Sequence, residues 1–167
     1  MPHPLVVQLR FARSEFQRAL DGVTPEEATR RFEPMNCISW IVGHLASQEN
    51  AYWVRFGQDK SLYPELRDIV GFGSPASSPP LHEMWQAWHD ITAAADDYLD
   101  TLTDDILLTH IEFRGKPLPE SVGTLLQRNL YHYWYHLGES QAIRQLLGHT
   151  ELPQFVGDMT EAVFRVE

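Results

Sequence analysis

The chain is short of cysteine, of positive charge and of long apolar runs, and each shortage removes a class of function. A single cysteine, Cys37, cannot form an internal disulfide, so nothing points to an oxidising compartment. Lys and Arg number 13 against 23 Asp and Glu, for a net charge of −10. Such a surface repels phosphate backbones and anionic membranes, and the nearest approach to a basic cluster is the pair Arg30 and Arg31. No apolar stretch approaches the roughly 20 residues that span a bilayer, and "MPHPLVVQLRFARSEF" lacks the cationic and then apolar layout of a signal peptide. The expectation is a cytoplasmic protein that engages neither nucleic acid nor membrane. Also missing are a glycine-rich phosphate loop, a Gly-x-Ser-x-Gly elbow, a His-Glu-x-x-His motif and any Glu-x-x-His. These absences argue against phosphate-loop, serine-elbow, zincin and di-iron carboxylate chemistry.

What is present reads as one all-α domain, residues 1–167. The hydrophobic share of 43% is enough for one sizeable core in a chain of 167 residues. Apolar residues recur at helical spacing over about 4–20, 37–57, 81–101 and 121–147. Gly22, Gly57 and Gly148 stand as stops, with Asn36 or Ser39 as a cap for the second helix and Ser121 for the fourth. "TPEEA" adds a short capped turn of helix. The link over 58–80 is long for two adjacent helices and suits a crossover connection in a four-helix bundle. Alternating apolar residues around Arg114, Gly115 and Lys116 predict a small β-hairpin before the fourth helix.

The histidines carry the chemistry. In "LYHYWYHLGES", His132 and His136 are four apart, so they fall within about 40° of each other around the helix. Leu125, Ile143 and Leu147 share their arc, and Gln127, Gln141 and Gln145 lie opposite. Both imidazoles therefore sit on the apolar face. A buried imidazole needs partners for both nitrogens. Separate protein partners would satisfy them, but a divalent ion would serve the pair at one point. On the second helix, His44 is central to an apolar arc made by Cys37, Trp40, Ile41 and Ala51. A lone core histidine there would be unremarkable, yet it is the third ligand that the pair lacks. Three imidazoles plus an open position suit Lewis-acid or bound-water chemistry.

Other positions carry less. Cys37, two turns from His44, reads as core. His82 and His89 read as surface residues, His110 as part of the hairpin, and His3 and His149 as terminal or capping residues. Gln48, Asn129, Glu139 and Ser140 lie within one turn of the three histidines. They could support the site or be ordinary polar residues at the edge of a face. Trp53 and Trp134 project away from the histidine faces, which predicts a second buried surface, either a subunit contact or a patch covered by the long link.

The segments "NCISWIVGHLASQENAYW" and "FRGKPLPESVGTLLQRNLYHYWYHLGESQAIRQLLG" resemble the DinB-like superfamily (the DinB/YfiT-like metalloenzymes) over about residues 5–148. The resemblance implies a four-helix bundle whose metal ligands map onto His44, His132 and His136. It also implies one divalent ion, nickel or zinc ahead of iron, manganese or cobalt, and a homodimer. Some relatives are thiol-dependent, such as bacillithiol S-transferases and the mycothiol-dependent maleylpyruvate isomerase. The expected function is accordingly a metal-dependent thiol S-transferase or hydrolase acting on a small molecule, with a low-molecular-weight thiol as a second cofactor. The alternative is a non-catalytic bundle that senses or stores a metal or small ligand.

Overall fold

The fold is described from a computed structural model over residues 1–164. Four long helices form it: α1 (Pro4–Ala19), α3 (Ile38–Glu49), α5 (Leu81–Leu99) and α7 (Val122–Leu146). Three short helices lie between them: α2 (Pro25–Thr29), α4 (Leu66–Val70) and α6 (Asp104–Leu107). Strands β1 (Glu112–Phe113) and β2 (Lys116–Pro117) pair antiparallel in the expected hairpin before α7. The hairpin turns through Arg114 (φ 53°) and Gly115 (φ 74°), the two positive φ values that a tight two-residue turn requires.

Side chains cap the N-termini of α1, α2, α6 and α7. Thr24 and Glu27 form a reciprocal capping box on α2. The Ser121 hydroxyl accepts from the Thr124 N–H at the start of α7, as expected. The expectation for α3 is corrected. Its N-cap is Cys37, with no side-chain cap bond, and the Ser39 hydroxyl instead donates to the Pro79 carbonyl at 2.5 Å. Ser39 thereby fastens the end of the crossover to α3.

α3 packs against α5 and α7, and α1 packs against α7. Phe16 of α1 meets Tyr133 of α7 edge-on at 5.7 Å and Trp85 of α5 at 6.0 Å. Fully burying such a side chain contributes roughly 1.5–3 kcal/mol. One polar cluster joins all four long helices. Glu49 of α3, fully buried, takes a two-pronged pair from Arg13 of α1, with Nε donating to Oε1 at 2.9 Å. Tyr133 donates to the same carboxylate at 2.7 Å and accepts from Trp88 of α5 at 2.8 Å, while Arg13 Nη1 reaches Asp96 at 2.7 Å. Burial works against the Arg13 charge, but Glu49 outweighs it and holds the guanidinium pKa above its ordinary value. Removing one partner of such a buried pair costs about 3–5 kcal/mol, because the other charge is stranded.

Past Glu49 the second long helix widens into a π-helical segment, Asn50–Phe56. Its i→i+5 bonding breaks the 3.6-residue phase on which the helical projection rests. That changes the reading of Trp53. At uniform spacing it would point away from His44, whereas it is fully buried, stacked on Tyr98 of α5 and bonded to Asn129 of α7. Trp134 packs on Phe11 of α1 with ring centroids 6.2 Å apart. Trp53 is therefore accommodated inside the bundle, whereas Trp134 stays half-buried on the outer side of α7.

Candidate metal centre

Within the bundle, α3 and α7 present three imidazoles to one another. His44 comes from the middle of α3, and His132 and His136 from successive turns of α7. One nitrogen of each lies within 4.8 Å of the others, a group that could hold a metal ion. His136 is 5% exposed, while His44 and His132 are half-buried. The rings approach edge to face, with His44 centroids 4.9 Å from His132 and 5.1 Å from His136.

The hydrogen bonds fix which nitrogens converge. His44 Nδ1 lies 2.7 Å from the Val70 carbonyl, His132 Nδ1 3.0 Å from Gln48 Oε1, and His136 Nδ1 2.7 Å from Glu139 Oε2. A carbonyl or carboxylate oxygen can only accept, so each Nδ1 carries the proton and each Nε2 keeps its lone pair. The direction at Gln48 is itself determined. The Trp53 indole can only donate, so at 2.8 Å it meets the oxygen of Asn129. The Asn129 amide nitrogen must then donate to Gln48, at 3.0 Å, and the Gln48 oxygen receives His132 as well. A four-residue relay, Trp53 to Asn129 to Gln48 to His132, thus sets one tautomer.

The consequence is electrostatic. His132 Nε2 and His136 Nε2 stand 2.9 Å apart, and in the neutral tautomers that the Nδ1 bonds select they meet lone pair to lone pair. Burial, reinforced by the neighbouring imidazoles, pulls His132 down to about 3, and burial pulls His44 down to about 4. A divalent cation between the nitrogens turns the repulsion into ligation. Trp40 lies flat on His44, ring centroids 4.4 Å apart, and shields one face of that ring from water. The donor set fits zinc or nickel, and equally cobalt, iron or manganese, since all accept imidazole.

A family model for the DinB superfamily matches residues 8–140. The chain belongs to the DinB superfamily. All three histidines of this DinB-superfamily chain fall inside the matched span. No curated protein matches it.

The remaining expected positions divide sharply. Gln48, Asn129 and Glu139 each bear on a histidine of the group, directly or through one amide. Ser140 is fully buried, and its hydroxyl has no partner among the described residues. His82 and His89 are exposed on α5, and His110 bonds the Leu118 carbonyl beside the hairpin. His3 caps α1 and donates to Asp104, while His149 links Arg144 to Glu27. Three contributors had escaped the sequence reading. The Val70 carbonyl is backbone, with no residue-type signal. Trp53 is hidden by the π-helical phase. Trp40, one turn before His44, was legible as a neighbour but not as a stacked ring.

Beside the histidines opens a cavity of about 710 Å³, to which His44 and His132 contribute. Tyr52, Phe72, Tyr131 and Tyr135 supply aromatic surface to its walls, and Gln48, Thr124, Gln127 and Arg128 supply polar groups. A volume of this order suits a small-molecule ligand.

Proposed function

We propose that the protein is a divalent-metal-dependent enzyme in which His44, His132 and His136 hold the ion and a thiol or a water is the nucleophile. The reaction class is thiol S-transfer or hydrolysis of a small molecule. The observation that carries this reading is the commitment of all three Nδ1 protons to fixed acceptors, leaving three Nε2 lone pairs aimed at one point. A bound divalent ion supplies Lewis acidity and lowers the pKa of a thiol or water. The chain's own residues do the rest. Three neutral imidazoles leave the ion its full charge. Gln48 and Glu139 hold the rings in ligating orientation, and Trp40 and the Val70 carbonyl hold His44. The adjoining cavity gives a substrate access from the side of His44 and His132.

A second reading, a non-catalytic bundle that binds a metal or small ligand, is favoured by one feature. No Asp or Glu lines the cavity among the described residues, so no carboxylate stands there as a general base. The homodimer belongs to the proposal as well, and light scattering in solution decides it.

Two measurements test the enzyme reading. His132→Ala should lose the stoichiometric metal that the parent protein carries, by elemental analysis; full retention would remove the site. Metal-loaded protein should turn over electrophiles with bacillithiol, mycothiol or glutathione, or cleave esters or amides. Turnover that survives metal removal, or none across these classes, returns the weight to the binding reading.

A further inference from the structure

The cavity beside the histidines has a second polar end that the metal reading leaves unused. In a chain of net charge −10, no carboxylate lines it among the described residues, and its one permanently charged side chain is Arg128. Glu120, which is not part of the lining, engages Arg128 through Nε, at 2.8 Å, and through Nη2. That grip fixes the plane of the guanidinium. It leaves Nη1 with no hydrogen-bond partner among the described residues and two N–H groups to offer. Tyr52, half-buried, lines the same cavity as Arg128. Burial pushes its phenol up, Arg128 pulls it back and Glu120 opposes that pull, with the net shift upward. Tyr52 therefore remains an O–H donor at neutral pH.

The rest of the wall is aromatic and exposed. Phe72 is 98% exposed, Tyr131 63% and Tyr135 69%. Phe72 follows closely on Val70, whose carbonyl holds His44, so the crossover contributes both to the histidine group and to the apolar rim. An apolar rim with one fixed guanidinium edge, its Nη1 turned to the ligand while Glu120 holds the other side, matches a ligand that has a flat apolar body and one anionic group.

We propose that this cavity takes a small carboxylic acid with an aromatic body. Its carboxylate meets Arg128 and Tyr52, and its ring lies among Phe72, Tyr131 and Tyr135. The inference rests on the metal-site reading for what happens at the far end, and it makes Arg128 and the aromatic rim the determinants of substrate class.

The test is equilibrium binding of 3-phenylpropanoate, its methyl ester and hexanoate to metal-loaded and to metal-free protein. The acid should bind about tenfold more tightly than the ester, the scale of one charge-assisted hydrogen bond, and more tightly than hexanoate. The preference over the ester should persist without metal. Arg128→Gln should erase it while leaving ester binding unchanged, and Arg128→Lys should restore part of it. Unaltered circular dichroism in both variants separates this from misfolding. Equal affinity for acid and ester overturns the proposal, as does an acid preference that Arg128→Gln leaves intact. A preference that vanishes with the metal would place the carboxylate on the ion and likewise overturns it. If a second copy of the chain covers the rim instead, Tyr131→Ser will dissociate a dimer in light scattering and the acid will not bind, which also overturns it. A protein that takes up no metal yet discriminates acid from ester through Arg128 would sink the metal reading and leave this one standing.

Discussion

A neutral histidine is an ambidentate residue, and the partner of one nitrogen decides what the other can do. At His132 that partner is Gln48, an amide that could present either end. Its orientation comes from Trp53, two bonds further along the relay. Replacing Gln48 with Leu should therefore lower metal affinity about 10–100-fold, the usual cost of removing a group that orients a ligand. Trp53→Phe should act in the same direction but more weakly, since it frees the amides to turn without deleting them. Competition with a chelator of known affinity measures both, and unaltered affinity in both variants would show that the relay does not govern the ligand. The three histidines were legible in the sequence because an HxxxH pair and a third histidine fall on apolar faces of two helices, and because the two segments that carry them resemble the DinB-like superfamily. The relay was not. Asn129 and Gln48 look like polar residues at a face edge until a donor-only indole is known to lie behind them.

At the scale of elements, the close approach of α3, α4 and α5 rests on the absence of a side chain. A Cβ built on Gly43 would run into the sulfur of Met84 on α5 and lie 3.2 Å from both γ-carbons of Val70 on α4. Gly43 precedes His44, and Val70 supplies the carbonyl that fixes it. Gly43→Ala should therefore displace α4, lengthen the bond from His44 to Val70 and weaken metal binding. It should also destabilise the fold by about 1–3 kcal/mol, the range for overpacking a filled core. Thermal denaturation with and without metal measures both effects. Met84→Ala in the same chain should recover part of the stability by making room for the methyl group; no recovery would mean that the contact with Val70 dominates. The four long helices and the hairpin were readable from apolar periodicity and turn residues. α4 was not, because five residues in a segment rich in glycine, proline and serine carry too little periodicity to stand out. The π-helical segment escaped for a related reason, as a fixed 100° step has no term for a widened turn.

At the scale of the whole molecule, two carboxylates hold outlying pieces onto the bundle. Glu15 on α1 takes Arg18 at 2.8 Å and the backbone N–H of Gly157 at 2.8 Å, fastening the segment that follows α7. Glu27 on α2 takes His149 at 3.0 Å and the Thr24 N–H at 2.9 Å, tying α2 to the end of α7. Both are held below the ordinary value near 4.5, Glu15 chiefly by Arg18, and Glu27 down to about 2, chiefly by His149 and then Thr24. A carboxylate with a depressed folded pKa stays charged in the fold while the unfolded chain takes up protons, so its contribution is whole above about 4.5 and drains away towards about 2. General repulsion runs the other way: a chain of net charge −10 sheds self-repulsion as pH falls towards its isoelectric point near 5.2. Metal-free protein titrated from pH 5 downward by denaturant midpoint should therefore lose stability between 4.5 and 2. Glu27→Gln should be less stable than the parent at pH 5 and close most of that gap by pH 2, where the Glu27 carboxyl is about half protonated in the fold. Parallel curves through that window would show that the tie between α2 and α7 does not depend on the Glu27 charge.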